Sequence, residues 1–212
     1  MNDPIRVLLA DDHPAMRIGL RVLLDQAADI CVVAETEDGD ETLAQVQTLH
    51  PDVLILDCQL PKRSGIEVAT ILNQTETPLR ILALSAFDAP KYLWNMRELG
   101  AYGYLLKDEA PTQIVTAVRA VAQGRFLWSV EQLARIRRWQ QEVQARWDDL
   151  TKQEQRVLSF IAAGQSNKEI ADTLSVTPRT VEFHVSNVLG KLAVVSRVEA
   201  ALWLKAYQAD VA

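Results

Sequence analysis

The segment Val53–Pro61 constrains the fold more than any other stretch of the chain. It reads Val-Leu-Ile-Leu-Asp-Cys-Gln-Leu-Pro, an aliphatic run that ends at Asp57 and is soon followed by a proline. An uninterrupted run of this kind is typical of a strand buried on both faces of a parallel sheet. Asp57 would then lie at the carboxyl end of the strand, at the edge where open α/β sheets bind ligands. Taken alone, an Asp that caps the next helix explains the position equally well.

Three other largely apolar runs are also followed by polar residues. Ile5–Ala10 precedes Asp11 and Asp12, Ile81–Leu84 precedes Ser85, and Tyr104–Leu106 precedes Lys107. Because parallel strands end at a common edge, these side chains are predicted to converge on Asp57. Crowded carboxylates repel one another, and a bound cation, a proton or a nearby lysine relieves the repulsion. Mg²⁺ is the simplest candidate, since one or two carboxylates hold it and leave room for a phosphate.

Segments with helical spacing alternate with the strands up to about Gln123, and Ile30–Thr36 supplies a fifth strand. The predicted helices cover Pro14–Gln26, Thr42–Leu49, a segment opened by the capping box Ser64-Gly-Ile-Glu67, Lys91–Leu99 and Pro111–Gly124. In the first helix, Ile18, Val22 and Leu23 share one face. Right-handed crossovers between parallel strands then predict a doubly wound, five-stranded α/β sheet.

The charge is spread unevenly and limits the possible functions. Residues 1–124 carry 10 Lys/Arg against 18 Asp/Glu, residues 125–147 carry 5 against 2, and residues 148–212 carry 7 against 8. Neither end is a basic patch, so any nucleic-acid role must rest on a motif. No apolar run approaches the roughly 18 residues of a membrane span, and no signal-peptide pattern begins the chain. We therefore expect a cytoplasmic protein with no membrane partner.

From Arg125 the pattern becomes helical throughout. Ser129–Trp147 lacks Gly and Pro and predicts an amphipathic connecting helix, either a regulatory interface or a plain spacer. Capping signals then predict helices at about 152–163, 167–174, 178–192 and 197–207. The short turn Leu174–Thr177 is typical of a helix-turn-helix. The expected organisation is a first domain at 1–124, a linker at 125–147 and a small all-α helix-turn-helix domain at 148–212.

Several separated motifs occur in a defined order in the first domain: Asp11-Asp12-His13-Pro14, Asp57 with Pro61, Gly65, Ser85-Ala86 and Tyr104-Leu-Leu-Lys107. On these residues, the segment 4–124 resembles the receiver domain of bacterial two-component response regulators. The resemblance implies a flavodoxin-like sheet of order 2-1-3-4-5 and an Asp57 that a sensor histidine kinase phosphorylates. It implies the following further roles: Mg²⁺ binding by Asp12, Asp57 and the carbonyl of Gln59, a water-mediated contact from Asp11, phosphoryl contact by Lys107, and switching by Ser85 and Tyr104.

A second set of motifs lies in the segment Leu150–Trp203: Leu150-Thr151, Glu154, Gly164, Ser166-Asn-Lys-Glu-Ile-Ala171, Thr180-Val181, Lys191-Leu192 and Arg197. This segment is similar to the LuxR-type DNA-binding domain. A receiver joined to this domain resembles the subgroup named after nitrate and nitrogen-fixation regulators (NarL/FixJ). The resemblance implies a phosphorylation-controlled transcription regulator that dimerises on paired DNA half-sites, with the last helix, including Ala201 and Trp203, as the dimer surface.

The third helix of the second domain supplies the expected contacts to the major groove. If its valines and Leu192 point inward, the outward residues are Glu182, Phe183, Ser186, Asn187 and Lys191. Phe183 suits thymine methyl groups, Glu182 suits cytosine N4, and Asn187 suits adenine. The side chains suited to phosphates are Lys168, Thr177, Arg179, Thr180 and Lys191. His184 either reaches a phosphate or packs at the helix edge.

The residues around Asp57 also bear on two other possible functions. A phosphohydrolase that uses an aspartyl phosphate needs a second acid two residues after Asp57, where this chain has Gln59. An orphan regulator would act through protein partners without phosphorylation, although the acidic residues are intact.

The loop residues Lys62-Arg63 occupy positions where receivers often have glycine or acidic residues. They either hold an acidic partner or alter the phosphoryl lifetime, or they form a solvated loop.

Overall fold

Five parallel strands form the centre of the N-terminal part of the chain: β1 (Ile5–Ala10), β2 (Ile30–Thr36), β3 (Val53–Asp57), β4 (Arg80–Ser85) and β5 (Gly103–Leu106). They pair in the order β2-β1-β3-β4-β5, and every pairing is parallel. The strand order and pairing confirm the doubly wound sheet that the aliphatic runs predict. The computed structural model describes residues 3–75 and 78–211.

The described residues form ten helices: α1 (Pro14–Asp25), α2 (Gly39–Leu49), α3 (Gly65–Asn73), α4 (Pro90–Glu98), α5 (Ala110–Ala122), α6 (Val130–Asp149), α7 (Lys152–Ala162), α8 (Asn167–Leu174), α9 (Pro178–Leu192) and α10 (Arg197–Val211). The chain divides into two compact units, Met1–Ile136 and Arg137–Ala212. The division falls inside α6, within the segment that the sequence assigns to the linker. The domain limits at residues 124 and 148 therefore stay a prediction.

Strand β3 lies at the centre of the sheet, and all five of its residues are buried. Asp57 pairs with Leu84 of β4, so its side chain reaches the carboxyl edge of the sheet. The chain then passes close to the end of β3 at Gly65. A Cβ at this position would lie only 2.1 Å from the backbone oxygen of Asp57. Glycine at this position therefore lets α3 begin directly beside the strand end.

Helix α1 buries Leu20 and Leu24 rather than the face that Ile18 and Val22 share. Ile18 and Val22 are 62% and 52% exposed, whereas Leu20 and Leu24 are 1% and 0% exposed. Leu20 and Leu24 pack in the cluster between the sheet and α5. Both pairs are four residues apart, so helical spacing alone does not determine which pair faces the sheet. The face that Ile18 and Val22 share is therefore largely exposed.

Capping interactions account for one helix boundary that the sequence placed too late. Helix α2 begins at Gly39 rather than Thr42, because the Asp38 side chain accepts a hydrogen bond from the N–H of Glu41 at 2.9 Å. The Ser64–Glu67 box that opens α3 forms as predicted, with both reciprocal hydrogen bonds. Thr151 and Ser166 cap α7 and α8 in the same manner.

The second unit is built from helices around two apolar clusters. Val157, Ile161, Ile170, Ala171 and Val181 form one of them. The other contains Val143 of α6, Leu150, Leu158, Val188, Leu192, Ala200, Leu204 and Tyr207. The short segment from Ser175 to Thr177 joins α8 to α9, with Ser175 in the left-handed backbone region that ends α8.

The aromatic residues of α10 pack inside this unit. The ring of Trp203 stacks on Tyr207, with centroids 5.5 Å apart, and Tyr207 stacks on Trp147 at 4.6 Å. Ala201 packs against the first cluster. Ala201 and Trp203 are both half-buried within this unit. The role of the last helix as a dimer surface stays a prediction.

Within the part of the chain that the structure describes, none of the helices combines the length and apolar character needed to span a membrane.

Candidate functional site

Two carboxylates and one ammonium group meet at the carboxyl edge of the sheet. Asp57, at the end of β3, accepts a hydrogen bond at Oδ2 from Lys107 Nζ at 2.6 Å. The same ammonium donates to Oδ1 of Asp11, the residue after β1, at 3.0 Å. Asp57 and Asp11 are 2% and 0% exposed. The strand ends therefore bring together side chains that lie up to 96 residues apart in the chain.

The acidic pocket also includes Asp12 and His13. Nδ1 of His13 lies 2.6 Å from Oδ1 of Asp12, and donor atoms of Asp11, Asp12, His13 and Asp57 all lie within 4.8 Å of one another. Among the described residues, Oδ2 of Asp11 is buried and accepts no well-oriented hydrogen bond, although Lys107 Nζ lies 2.9 Å away. Buried carboxylate oxygens with unused lone pairs fit a hard divalent cation such as Mg²⁺.

Burial and the lysine act in opposite directions on the Asp57 carboxyl group. Burial raises the pKa of Asp57, although hydrogen bonds from Lys107 and from the N–H of Gln59 favour its charged form. Burial opposes the charge on Lys107, but hydrogen bonds to Asp57 and Asp11 raise its pKa. Cys58 is buried, and burial raises the pKa of its thiol to about 12, so it is no competing nucleophile at neutral pH.

The backbone of Gln59 lies directly beside the acceptor carboxylate. Its N–H donates to Asp57 Oδ1 at 3.1 Å, while its side chain is exposed. This N–H contact holds the residue close to the acidic pocket. The use of the Gln59 carbonyl as a metal ligand stays a prediction.

Ser85 and Tyr104 form a connected pair beside the acidic pocket. Ser85 is fully buried, and its Oγ accepts a hydrogen bond from the N–H of Phe87 at 3.0 Å. The Tyr104 hydroxyl donates to the Phe87 carbonyl at 2.6 Å. The Tyr104 ring is only 2% exposed, and burial raises the pKa of its phenol. The Tyr104 ring is therefore already buried beside Ser85 in this structure.

The basic pair Lys62-Arg63 forms ion pairs within the first unit. Lys62 Nζ lies 2.5 Å from Asp38 Oδ2, and Arg63 forms an ion pair with Asp40. Both acids belong to the start of α2, so the ion pairs join this loop to α2. An acidic partner would have to displace these ion pairs, which the sequence did not reveal because the acids precede the loop by more than twenty residues.

Helix α9 presents a polar face with one large apolar side chain. Phe183 is 64% exposed, and Glu182, Ser186 and Arg179 are also exposed. Asn187 and Thr180 are half-buried, and Thr177 caps the helix with its side chain. Lys168 of α8 is exposed. An exposed phenylalanine on a mostly polar helix face is typical of a binding surface rather than of packing.

Two residues of the expected DNA interface are held within their own unit. Lys191 donates to Glu154 Oε2 at 2.8 Å and to the Asp149 carbonyl at 2.9 Å, so a contact with DNA would have to replace these bonds. Its role in DNA binding stays a prediction. His184 is half-buried beside Phe183, and its Nδ1 is buried without a partner among the described residues. This placement favours packing at the helix edge for His184.

The sequence analysis missed the residues that support Asp11. Arg17 donates to the Asp11 carbonyl at 2.6 Å, and its side chain also pairs with Glu35 and Glu37. The N–H of His13 donates to Asp11 Oδ1 at 2.8 Å. The position of His13 directly after Asp12 was an available signal, whereas nothing in the sequence singles out Arg17.

Two family models account for most of the chain. The model of the response regulator receiver domain matches residues 7–119, and the model of the luxR family of bacterial regulatory proteins matches residues 148–204. The chain is a response regulator of the LuxR type. This architecture is that of a two-component transcription regulator rather than of a catalytic enzyme, and it confirms both resemblances drawn from the motifs.

Similar proteins span nearly the whole response regulator. It is 34% identical over 207 residues to the uncharacterized transcriptional regulatory protein YxjL of Bacillus subtilis, with 95% of each chain covered. It is 33% identical over 199 residues to the response regulator VraR of Staphylococcus aureus, with 94% of this chain and 95% of VraR covered.

Solved structures of other response regulators also resemble this chain. RcsB from Salmonella enterica serovar Typhimurium, bound to promoter P1flhDC in the presence of the phosphomimetic BeF3⁻, is 26% identical with a TM-score of 0.65. That comparison covers 97% of this chain and 100% of RcsB. The response regulator ChrA of a heme-sensing two-component system is 32% identical with a TM-score of 0.56, covering 98% of this chain and 100% of ChrA.

Proposed function

We propose that this response regulator is switched by phosphorylation of Asp57 and binds DNA as a homodimer through α9. A sensor histidine kinase supplies the phosphoryl group. The observation that carries the proposal is the buried contact of Asp57 with Lys107 and the acidic residues at the same sheet edge. Asp57 is a pre-positioned nucleophile, and Lys107 is a fixed positive charge beside it.

The chemistry at Asp57 requires relief of electrostatic repulsion. An Asp57 carboxylate oxygen attacks the phosphorus, and the bond from phosphorus to the kinase histidine breaks. Lys107 lies within hydrogen-bond distance of Asp57 and stabilises the phosphoryl oxygens that arrive there. Mg²⁺, held by Asp12, Asp57 and the carbonyl of Gln59 with Asp11 acting through water, would supply further charge neutralisation.

Ser85 connects the phosphorylation site to the rest of the receiver. Its buried Oγ lies at the end of β4 and accepts a hydrogen bond from the N–H of Phe87. A phosphoryl group on Asp57 offers acceptor oxygens that compete for the Ser85 hydroxyl. Movement of Ser85 would disturb the Phe87 backbone, to which Tyr104 also donates. This pair is the two-state element that we assign to the switch.

The exposed face of α9 suits the major groove. Phe183 would contact thymine methyl groups, while Glu182 and Asn187 would read base edges and Ser186 would contribute a further hydrogen bond. Arg179 and Lys168, with the hydroxyls of Thr177 and Thr180, would contact phosphates. The interface offers few cations, so a single copy is expected to bind weakly and two copies on paired half-sites more tightly.

Exposed apolar side chains support the proposed homodimer. Ile18 and Val22 of α1 are more than half exposed, and so are Val195 and Val198 in the second unit. Burial of such side chains against a second copy would remove apolar surface from water.

The alternatives differ from this proposal in what they require of Asp57. A phosphohydrolase would need an acid at Gln59, which is an exposed amide. An orphan regulator would leave the buried carboxylates without a chemical role. Beryllofluoride with Mg²⁺ mimics the phosphorylated state, so it distinguishes a phosphorylation-controlled regulator from an orphan regulator. With this reagent, the proposal expects the mass measured by light scattering to double for the wild-type chain. It expects the mass of Asp57→Asn to stay unchanged. An unchanged mass for both proteins would favour the orphan regulator.

A further inference from the structure

The segment that follows α5 lies along β5 of the receiver. The N–H of Leu127 donates to the carbonyl of Tyr102 at 2.7 Å, and the Trp128 indole donates to the carbonyl of Ala101 at 3.0 Å. A Cβ at Gly103 would lie 2.9 Å from the Leu127 side chain, so the glycine permits this close approach. The Trp128 ring stacks over Tyr104, with centroids 6.4 Å apart. The start of α6 is thereby placed beside the switch pair.

Gln132 ties the first turn of α6 to the same strand. Its Oε1 accepts from the N–H of Ser129 at 3.0 Å, and Ser129 Oγ accepts from the N–H of Gln132, which closes a capping box. Its amide Nε2 donates to the carbonyl of Tyr104 at 3.1 Å. One side chain therefore both caps α6 and attaches it to β5. The amide orientation follows from its partners, one a donor and the other an acceptor.

Arg135, one turn further along α6, reaches the loop that follows β4. Its guanidinium donates to the Asp88 carboxylate at 2.5 Å and to the Asp88 carbonyl at 2.5 Å. Asp88 is adjacent to Phe87, whose carbonyl accepts from Tyr104 and whose N–H is held by Ser85. The α6 contact and the switch pair therefore share one short loop, residues 86–89.

We propose that Gln132 and Arg135 form a latch that holds the start of α6 on the β4–α4 loop, and that phosphorylation of Asp57 opens it. The inference rests on the proposed function. When Ser85 turns to the phosphoryl group, the N–H of Phe87 loses its acceptor and the loop shifts. The two hydrogen bonds of Arg135 depend on the side chain and the backbone of Asp88 at once, so a shift of this loop breaks at least one of them.

The contacts of the latch are weak enough to open when Asp57 is phosphorylated. Arg135 is 21% exposed and Asp88 is 50% exposed, so the ion pair is partly solvated and contributes only modestly to stability. Weak contacts of this kind open locally without unfolding the domain. The outward residues Val130 and Glu131 of the same turn are exposed, so they do not hold the helix in place.

Hydrogen exchange of the full-length chain, measured by mass spectrometry on peptides that cover residues 129–136, tests the latch. Arg135→Gln should raise exchange there about two- to fivefold without phosphorylation, the range expected for a partly exposed ion pair. Gln132→Glu keeps the capping acceptor but removes the donor to the Tyr104 carbonyl, so it should also raise exchange.

Arg138→Gln is the control, because Arg138 is an exposed α6 arginine with no ion pair among the described residues. It should leave exchange unchanged.

Beryllofluoride with Mg²⁺ then tests the link to Asp57. In the wild-type chain it should raise exchange in residues 129–136, and in Arg135→Gln it should add little. Because coupling between two events is reciprocal, Arg135→Gln should bind beryllofluoride more tightly than the wild-type chain by calorimetry, by up to the same two- to fivefold factor. Bound beryllofluoride without a change in exchange would overturn the latch and leave the proposed function intact. Exchange in Arg135→Gln equal to wild type without beryllofluoride would overturn it as well. A wild-type chain that binds no beryllofluoride would overturn both.

Discussion

The two candidate sites of this response regulator are built in opposite ways. Asp57 and Asp11 are buried and both accept hydrogen bonds from the half-buried Lys107, whereas the α9 residues Phe183 and Glu182 are exposed. In the first site each side chain fixes the position of the others. In the second, the α9 backbone sets the positions of the side chains, and the molecule that they would contact is not part of the protein.

The difference predicts how the two sites respond to substitution. Residues of a bonded cluster act as a unit, so single changes there should be large and non-additive. Residues on an exposed helix face act separately, so changes there should alter DNA binding and leave the fold intact.

Lys107→Ala should slow the phosphorylation of Asp57 about 10²- to 10³-fold, the usual cost of removing one donor aimed at developing negative charge. The rate is measured with a small phosphodonor and Mg²⁺, which bypasses the kinase. Lys91→Ala, a change at an exposed lysine of α4, is the matched control and should react at the wild-type rate. Equal rates for the two variants would remove Lys107 from the mechanism.

Mg²⁺ should stabilise the first unit, because it relieves repulsion between the Asp11, Asp12 and Asp57 carboxylates. At one hundred times its dissociation constant, a ligand raises the free energy of unfolding by about 2.7 kcal/mol. The shift is measured by thermal unfolding with and without Mg²⁺, and a chelator should reverse it. Asp12→Asn should lose most of the shift; retention of the full shift would place the cation elsewhere.

Phe183→Ala should weaken binding to a DNA half-site about tenfold, equivalent to about 1.4 kcal/mol, with no measurable loss of stability. The exposed ring contributes little to folding, so the effect belongs to the interface. Fluorescence anisotropy with labelled DNA gives the affinity, and chemical denaturation gives the stability. A stability loss of several kcal/mol would show that Phe183 packs inside the protein after all.

Glu154→Gln should destabilise the second unit by roughly 1 kcal/mol at neutral pH, since Glu154 is buried and accepts a hydrogen bond from Lys191. Although burial opposes the charge, this hydrogen bond and those from Thr151 lower the pKa of Glu154 below its unfolded value. Its contribution is therefore present above the unfolded pKa of about 4.3 and is lost as the pH falls through the folded pKa.

The pH dependence is read from hydrogen exchange of α7 peptides between neutral and acidic pH, after correction for the intrinsic exchange rate. The stability difference between wild type and Glu154→Gln should shrink as the pH falls. Glu169→Gln is the control, because Glu169 occupies the same position of a capping box but is exposed and has no lysine partner among the described residues. A constant difference at every pH would exclude the ion pair as the cause.

Much of the sheet edge was predictable because strand ends carry their chemistry in sequence. Asp57 and Lys107 each follow an aliphatic run directly, and the rule that parallel strands end at one edge brings them together. The capping boxes were predictable for a similar reason, since Ser64 and Glu67 lie three residues apart and interact locally.

The features that the sequence did not reveal depend on distant partners. The pairing of Lys191 with Glu154, and that of Lys62 with Asp38, join residues 37 and 24 positions apart. The contact of Arg135 with Asp88 spans 47 positions. The exposure of Ile18 has the same origin, because the packing of the sheet and α5 selects one of two equally spaced faces of α1.

The most direct test of the account is the site of phosphorylation itself. The full-length chain is incubated with a small phosphodonor and Mg²⁺, and the adduct is located by mass spectrometry of peptides that contain β3. We predict a base-labile phosphoryl group on Asp57 in the wild-type chain, absent from Asp57→Asn and strongly reduced in Lys107→Ala. An unmodified Asp57 in a folded wild-type chain, or a phosphoryl group on another residue, would contradict the account.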